Sequence, residues 1–176
     1  CESYQGGGAI YIDNELNIKT DINLRSIYFE RCKAVYGGAL YIASIQNPIS
    51  VYYCIFISNK ATGISGNSNE LFGGSAIYLS SAYNGIIMQC TFRHNIGAGG
   101  SVKIINDYKS SGRKMINQLV YHKSLSIEEC DFDIDSESEC LISYIEKNMG
   151  VFVNIKDCIF SGKLANDAHY INSKSP

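Results

Sequence analysis

A chain of 176 residues with 45% apolar and 18% charged residues can close one sizeable core and is too short for several, so residues 1–176 are read as a single domain. A net charge of -2 with only four Arg speaks against a nucleic-acid partner, whose phosphates require a positive surface. The longest apolar run, the seven residues 51–57, falls well short of the roughly 18 needed for a membrane span.

In chain order, a first predicted strand follows a glycine run as Gly7-Gly8-Ala9-Ile10-Tyr11-Ile12. Ile22-x-Leu24-x-x-Ile27-x-Phe29-x-x-Cys32-x-Ala34 comes next. Both elements then return. Gly37-Gly38-Ala39-Leu40-Tyr41-Ile42 precedes Ile49-x-Val51-x-x-Cys54-x-Phe56-x-x-Asn59-x-Ala61, and Gly74-Ser75-Ala76-Ile77-Tyr78-Leu79 precedes Ile87-x-x-Cys90-x-Phe92-x-x-Asn95. Weaker copies of the first element stand at Gly100-Ser101-Val102-Lys103-Ile104, Ile142-Ser143-Tyr144-Ile145 and Ala168-His169-Tyr170-Ile171. The second element recurs as Leu125-x-Ile127-x-x-Cys130-x-Phe132-x-x-Asp135 and Val153-x-Ile155-x-x-Cys158-x-Phe160. The segments alternate with period two, and 25 Ile and 13 Tyr against nine Leu favour strands. One such unit cannot bury its own inner face, so units must stack. An all-β solenoid of about five coils follows, with insertions at 62–72 and 105–124.

The Gly-Gly-Ala-aliphatic and Phe-x-x-Asn elements resemble the repeats of chlamydial polymorphic outer-membrane proteins and of protist surface proteins. That resemblance spans nearly the whole chain and implies a right-handed parallel β-helix of the pectin-lyase-like fold, at the cell surface or outside the cell. It says little of chemistry, because this fold carries lyases, hydrolases, adhesins and inert fibres alike.

Stacking turns residues into columns. Ile10, Leu40, Ile77 and Val102 are expected to face inward, as are Ile12, Ile42, Leu79, Ile104, Ile145 and Ile171. The residues between them, Tyr11, Tyr41, Tyr78, Lys103, Tyr144 and Tyr170, are expected to face outward, beside a small outward column of Ala9, Ala39, Ala76 and Ser101. A ladder of phenol rings makes a flat stripe suited to glycans or to another protein, although cross-strand stabilisation alone also accounts for it. Cys54, Cys90, Cys130 and Cys158 share one inward column with Phe56, Phe92, Phe132 and Phe160 two residues on, which favours buried thiols and leaves their disulfide state open. Laying Ala9 on Ala39 brings Cys1 within one position of Cys32, the best disulfide candidate, while Cys140 has no evident partner. Asn59, Asn95 and Asp135 read as a turn column whose side chains bond from coil to coil.

Seven acidic residues crowd positions 128–139. Asp131 and Asp133 share an outward face and could hold Ca²⁺, although a solvated acidic face balanced by Lys109, Arg113, Lys114 and Lys123 is the preferred reading of the same residues. The paired Asp and the Gly-His-Gly of polygalacturonase-like enzymes are missing. His94, His122 and His169 fall in different coils. The expectation is a non-enzymatic structural or adhesive β-helix, without a cofactor, that assembles through its ends with copies of itself, into fibres, or with flanking coils of a longer chain. The alternative is a carbohydrate-active enzyme, a polysaccharide lyase or hydrolase, or a glycan-binding module of the same fold.

Overall fold

The computed structural model describes residues 1–14, 21–44, 48–63, 73–80, 84–106, 124–134, 140–146, 152–162 and 169–174. Within them every regular element is a β-strand, and every strand pair is parallel. The first sheet has six strands, Ile10–Asn14, Leu40–Ser44, Ile77–Ser80, Val102–Asn106, Cys140–Glu146 and His169–Lys174, lying side by side in chain order. The second has five: Ile22–Arg25, Ile49–Tyr52, Gly85–Met88, Ser124–Glu128 and Phe152–Lys156. The third also has five: Tyr28–Glu30, Ile55–Ile57, Thr91–Arg93, Asp131–Ile134 and Ile159–Gly162. A short pair, Lys33–Ala34 with Lys60–Ala61, completes the turn back towards the first sheet. Chain order within each sheet means that the backbone visits the three sheets in turn and then climbs one strand spacing. This is an all-β architecture of stacked parallel sheets, compatible with a parallel β-helix.

Single residues make two of the corners. Ser26, Tyr53, Gln89, Glu129 and Asp157, with φ between 51° and 55°, bend the chain from the second sheet to the third. Arg31, Ser58 and His94, at 51° to 53°, bend it out of the third. A left-handed conformation costs an L-residue about 1–2 kcal/mol. The corners are nevertheless held coil to coil, Ser26 N donating to Tyr52 O at 3.0 Å, Tyr53 N to Met88 O at 3.1 Å and Gln89 N to Glu128 O at 3.0 Å. At the entrance to the first sheet glycine is required outright. Gly37 has φ 59°, and a side chain at Gly38 would run into the carbonyl of Ser75 in the next coil.

Inside, Phe29, Phe56, Phe92, Phe132 and Phe160 stack with successive ring centroids 4.8, 4.9, 4.6 and 5.3 Å apart. Each buried ring contributes about 1.5–3 kcal/mol, and each stacked pair about 0.5–1.5 kcal/mol more. Beside them runs the asparagine turn column. Asn59 Oδ1 accepts from Cys32 N at 2.9 Å, and its Nδ2 donates to Phe29 O at 3.1 Å and to Asn95 Oδ1 at 3.0 Å. Asn95 Nδ2 in turn donates to Phe56 O at 2.9 Å. Asp135 lies outside the described residues.

Expectations about three columns and one insertion are corrected. Ala39 and Ala76 belong to the main core with Leu40 and Ile77 rather than to an outer stripe, because the chain is still turning after the glycines and strict alternation begins only with the strand. The tyrosine column also ends earlier than the repeats suggest. Lys103 lies opposite Ser143, while Tyr144 lies opposite Ile104 and packs against the core. This register places Ile142 inward, whereas matching Tyr144 to the outer tyrosines would have put the Ser143 hydroxyl there. The last strand follows suit: Ile171 pairs with Ile142 and Asn172 with Ser143, so Tyr170 takes the register position of Leu141. Ile145 accordingly faces Ile105, outside the Ile12–Ile42 column. Finally, Ile105, Asn106 and Ser124 lie in strands, which narrows the second insertion, and residues 64–72 and 107–123 fall outside the described set.

Candidate functional site

The outer face of the first sheet begins as the expected ladder. Tyr11 stacks on Tyr41 with centroids 4.6 Å apart and planes 13° apart, and Tyr41 on Tyr78 at 5.5 Å and 24°. Tyr36, from the turn that precedes Gly37, tilts onto both Tyr41 and Tyr78. The ladder is graded in exposure: Tyr11 is 46% exposed, Tyr41 half-buried, and Tyr78 only 3% exposed. Further along the same column Lys103 and Ser143 are buried too. Tyr78, Ile105 and Ile145, with Tyr36 and Tyr41 against them, form a second small core on this face. The stem of Lys103 fills the space that a side chain at Gly99 would need. Lys103 therefore does not mark a solvent-facing column, since burial of its long apolar stem offsets part of the cost of placing an ammonium there.

Burial, followed by the neighbouring Tyr11, Tyr36 and Asp13, pushes the Tyr41 phenol above its ordinary value. Tyr11 Oη donates to Asp13 Oδ2 at 3.2 Å. The part of the stripe that a ligand can touch is thus Tyr11 with the near edge of Tyr41.

On the outer face of the third sheet, Asp131 and Asp133 flank the inward, wholly buried Phe132. Arg93 joins them: its Nη2 lies 3.4 Å from Asp131 Oδ2, and its backbone is in register with Asp133. Ser161 Oγ donates to Asp133 Oδ1 at 3.4 Å. Among the described residues no three His, Cys, Asp or Glu side chains converge on one point, and the Asp131 carboxylate is already paired with a guanidinium. The residues expected to balance this face, Lys109, Arg113, Lys114 and Lys123, lie outside the described set, as does the acidic run beyond position 134. Arg93 was not singled out from the sequence, because only the coil-to-coil register, 38 residues apart, sets it beside Asp131.

The cysteines are all free thiols. Cys1 and Cys32 each precede a member of the parallel Glu2–Lys33 bridge, yet Cys1 is exposed and Cys32 buried, so the expected disulfide between them is absent. Cys54, Cys90, Cys130 and Cys158 do form one column, flanked by Cys54 O accepting from Thr91 N, Cys90 O from Asp131 N and Cys130 O from Ile159 N at 2.9–3.0 Å. Cys140 is buried and opposes His169.

Comparison with protein-family models, with curated proteins and with solved structures finds no match to this chain.

Proposed function

We propose that the chain is a right-handed parallel β-helix that serves as a non-enzymatic structural or adhesive module, outside the cell or on its surface, and assembles by adding strands to its end coils. Right-handedness follows from the near-universal hand of parallel crossovers, and the surface location from the likeness of its repeats to those of surface proteins. The observation that carries the reading is the state of the last full coil. Val153, Ile155, Cys158 and Phe160 are half-buried in columns whose middle members are closed to solvent, while Phe152 is 70% and Ile159 65% exposed beside them. Among the described residues, Phe152–Lys156 and Ile159–Gly162 are the outer strands of the second and third sheets, and such edges with apolar flanks favour pairing with a further strand. The partner surface is accordingly a coil of a second copy or of flanking chain, with Tyr11 and Tyr41 left for glycan or protein contact. Light scattering with electron microscopy of the purified protein tests this. Concentration-dependent end-to-end particles that dissociate in the Phe152→Lys, Ile159→Lys double variant are expected; a monomer at every concentration refutes it.

A specific observation favours a second reading, a carbohydrate-active enzyme: Arg93 beside Asp131, with Asp133 next to them, sets a cation among carboxylates on an outer sheet face. Cleavage of an acidic polysaccharide that is lost in Asp131→Asn would support it in place of the first.

A further inference from the structure

The tyrosine ladder carries a chemistry that strand assembly does not use. Tyr11, Tyr36, Tyr41 and Tyr78 form one chain of ring contacts on the outer face of the first sheet. Of the tyrosine pairs among the described residues, Tyr11 and Tyr41 are the closest. They are in register on adjacent strands, with ring centroids 4.6 Å apart and planes 13° apart. Exposure decides which phenols an outside reagent reaches: Tyr11 is nearly half exposed, Tyr41 half-buried and Tyr78 closed. Tyr4, Tyr28 and Tyr53 are also exposed, but among the described residues only Tyr53 has a neighbouring phenol, Tyr52, tilted by 36° with centroids 6.3 Å apart.

We propose that Tyr11 and Tyr41 are an oxidative cross-linking site, joined through their ortho carbons into a dityrosine by hydrogen peroxide and a haem peroxidase. Tyr11 is oxidised first, because it is the open phenol and its hydroxyl already donates to Asp13 Oδ2 at 3.2 Å, which takes the proton as the electron leaves. The stacked rings let the radical pass to Tyr41, and a second oxidation of Tyr11 completes the pair. Each phenol has then lost one electron and one proton. Tyr11 swings about its Cα–Cβ and Cβ–Cγ bonds, a Cε–Cε bond forms between the two radicals, and the hydrogens on those carbons return to the oxygens as protons through water, which restores both rings and both hydroxyls. The peroxide takes up the two electrons and two protons and leaves as two waters. Strands about 4.7–4.9 Å apart keep the two side chains within reach of one bond. The link ties the first coil to the second at the edge of the sheet, where strands open most easily. None of this depends on how the ends assemble.

The test is to alkylate the exposed Cys1, which would otherwise consume oxidant, and to treat the dilute protein with a haem peroxidase and limiting hydrogen peroxide. The monomer, separated under denaturing conditions, is then read by blue dityrosine emission and by mass spectrometry. A monomer lighter by two hydrogen atoms is expected, with fragmentation placing the bond between Tyr11 and Tyr41, and hydrogen exchange of Ile10–Asn14 in the native product should slow. Tyr11→Phe, a change at a partly exposed edge position, should lose the product, whereas Tyr4→Phe and Tyr53→Phe should keep it. No link within the monomer, a link placed at another pair, or an undiminished product in Tyr11→Phe overturns the proposal.

Discussion

The asparagine column gives the sharpest test of how the coils are tied together. Replacing Asn59 by Ala removes the acceptor of Cys32 N and the donors to Phe29 O and Asn95 Oδ1, at a site with no solvent exposure. Each lost hydrogen bond is worth about 1 kcal/mol, and each buried group left unpaired, Cys32 N–H foremost, adds to this because water cannot replace the lost partner. The expected loss is about 3–5 kcal/mol, a large share of the about 5–15 kcal/mol that holds a domain of this size. Urea unfolding followed by far-ultraviolet circular dichroism and by tyrosine emission reads it, the chain having no Trp. Hydrogen exchange should show faster opening at the Cys32 amide before the global transition. Asn59→Asp is the discriminating control. It keeps an oxygen for Cys32 N, but as a carboxylate it meets the Phe29 carbonyl and Asn95 Oδ1, both acceptors. Its folded-state pKa is therefore expected to be raised, so stability is retained below the ordinary carboxylate pKa and lost as pH rises through the folded one. A loss below about 1 kcal/mol for Asn59→Ala, against the three bonds counted above, would refute the ladder as a source of stability.

Two further outcomes follow from the first sheet. Gly38→Ala should destabilise the fold by about 3 kcal/mol or prevent folding, because the added methyl meets Ser75 O and Lys60 O across coils, and the same denaturation experiment measures it. In alkaline spectrophotometric titration the native protein should show fewer ionised phenols at pH 11 than the unfolded chain, and Tyr41→Phe should shrink that difference by one. Since the Tyr41 phenol is raised, mainly by burial, its contribution to stability is complete below about pH 10 and falls as pH climbs through its folded value.

Where spacing stayed constant, the architecture was readable from residues alone. The phenylalanine and cysteine columns, the first three tyrosines and the Asn59–Asn95 pair all fall where the repeats put them, because an inward position in a stacked coil accepts few side chains and must repeat at every coil. The corners were not readable. Ser26, Arg31, Tyr53, Ser58, Gln89, His94, Glu129 and Asp157 all adopt left-handed φ, yet they share neither size nor charge, and none is Gly or Asn. Their conformation is imposed by the coil-to-coil hydrogen bonds of the neighbouring strands, so the residue type carries no signal. The Tyr144 register failed for a different reason: matching by residue identity preferred Tyr on Tyr, whereas burial preferred Ile142 on Val102.

Alternation gives the direction of a side chain and not what lies over it, which is why the outer tyrosine face looked uniform in sequence and is graded in the structure. That gradient bears on adhesion. A phenol contributes to glycan binding only through the ring area it leaves open, and Tyr78 offers almost none while Tyr11 offers nearly half of its surface. Contact with a sugar would therefore be centred on the first coil, where Asp13 also accepts from the Tyr11 hydroxyl. Under the proposed assembly, further strands would pair at the opposite end of the stack, where Phe152 and Ile159 are open. Among the described residues the first sheet has six strands and the other two five, so under that proposal an added piece would supply a second-sheet and a third-sheet strand beside His169–Lys174. The chain's own repeat has that form, two short strands joined through a single left-handed corner, with aliphatic residues and a phenylalanine inward. A peptide carrying residues 21–30 should on this reasoning compete for the step, whereas its Phe29→Asp counterpart should not.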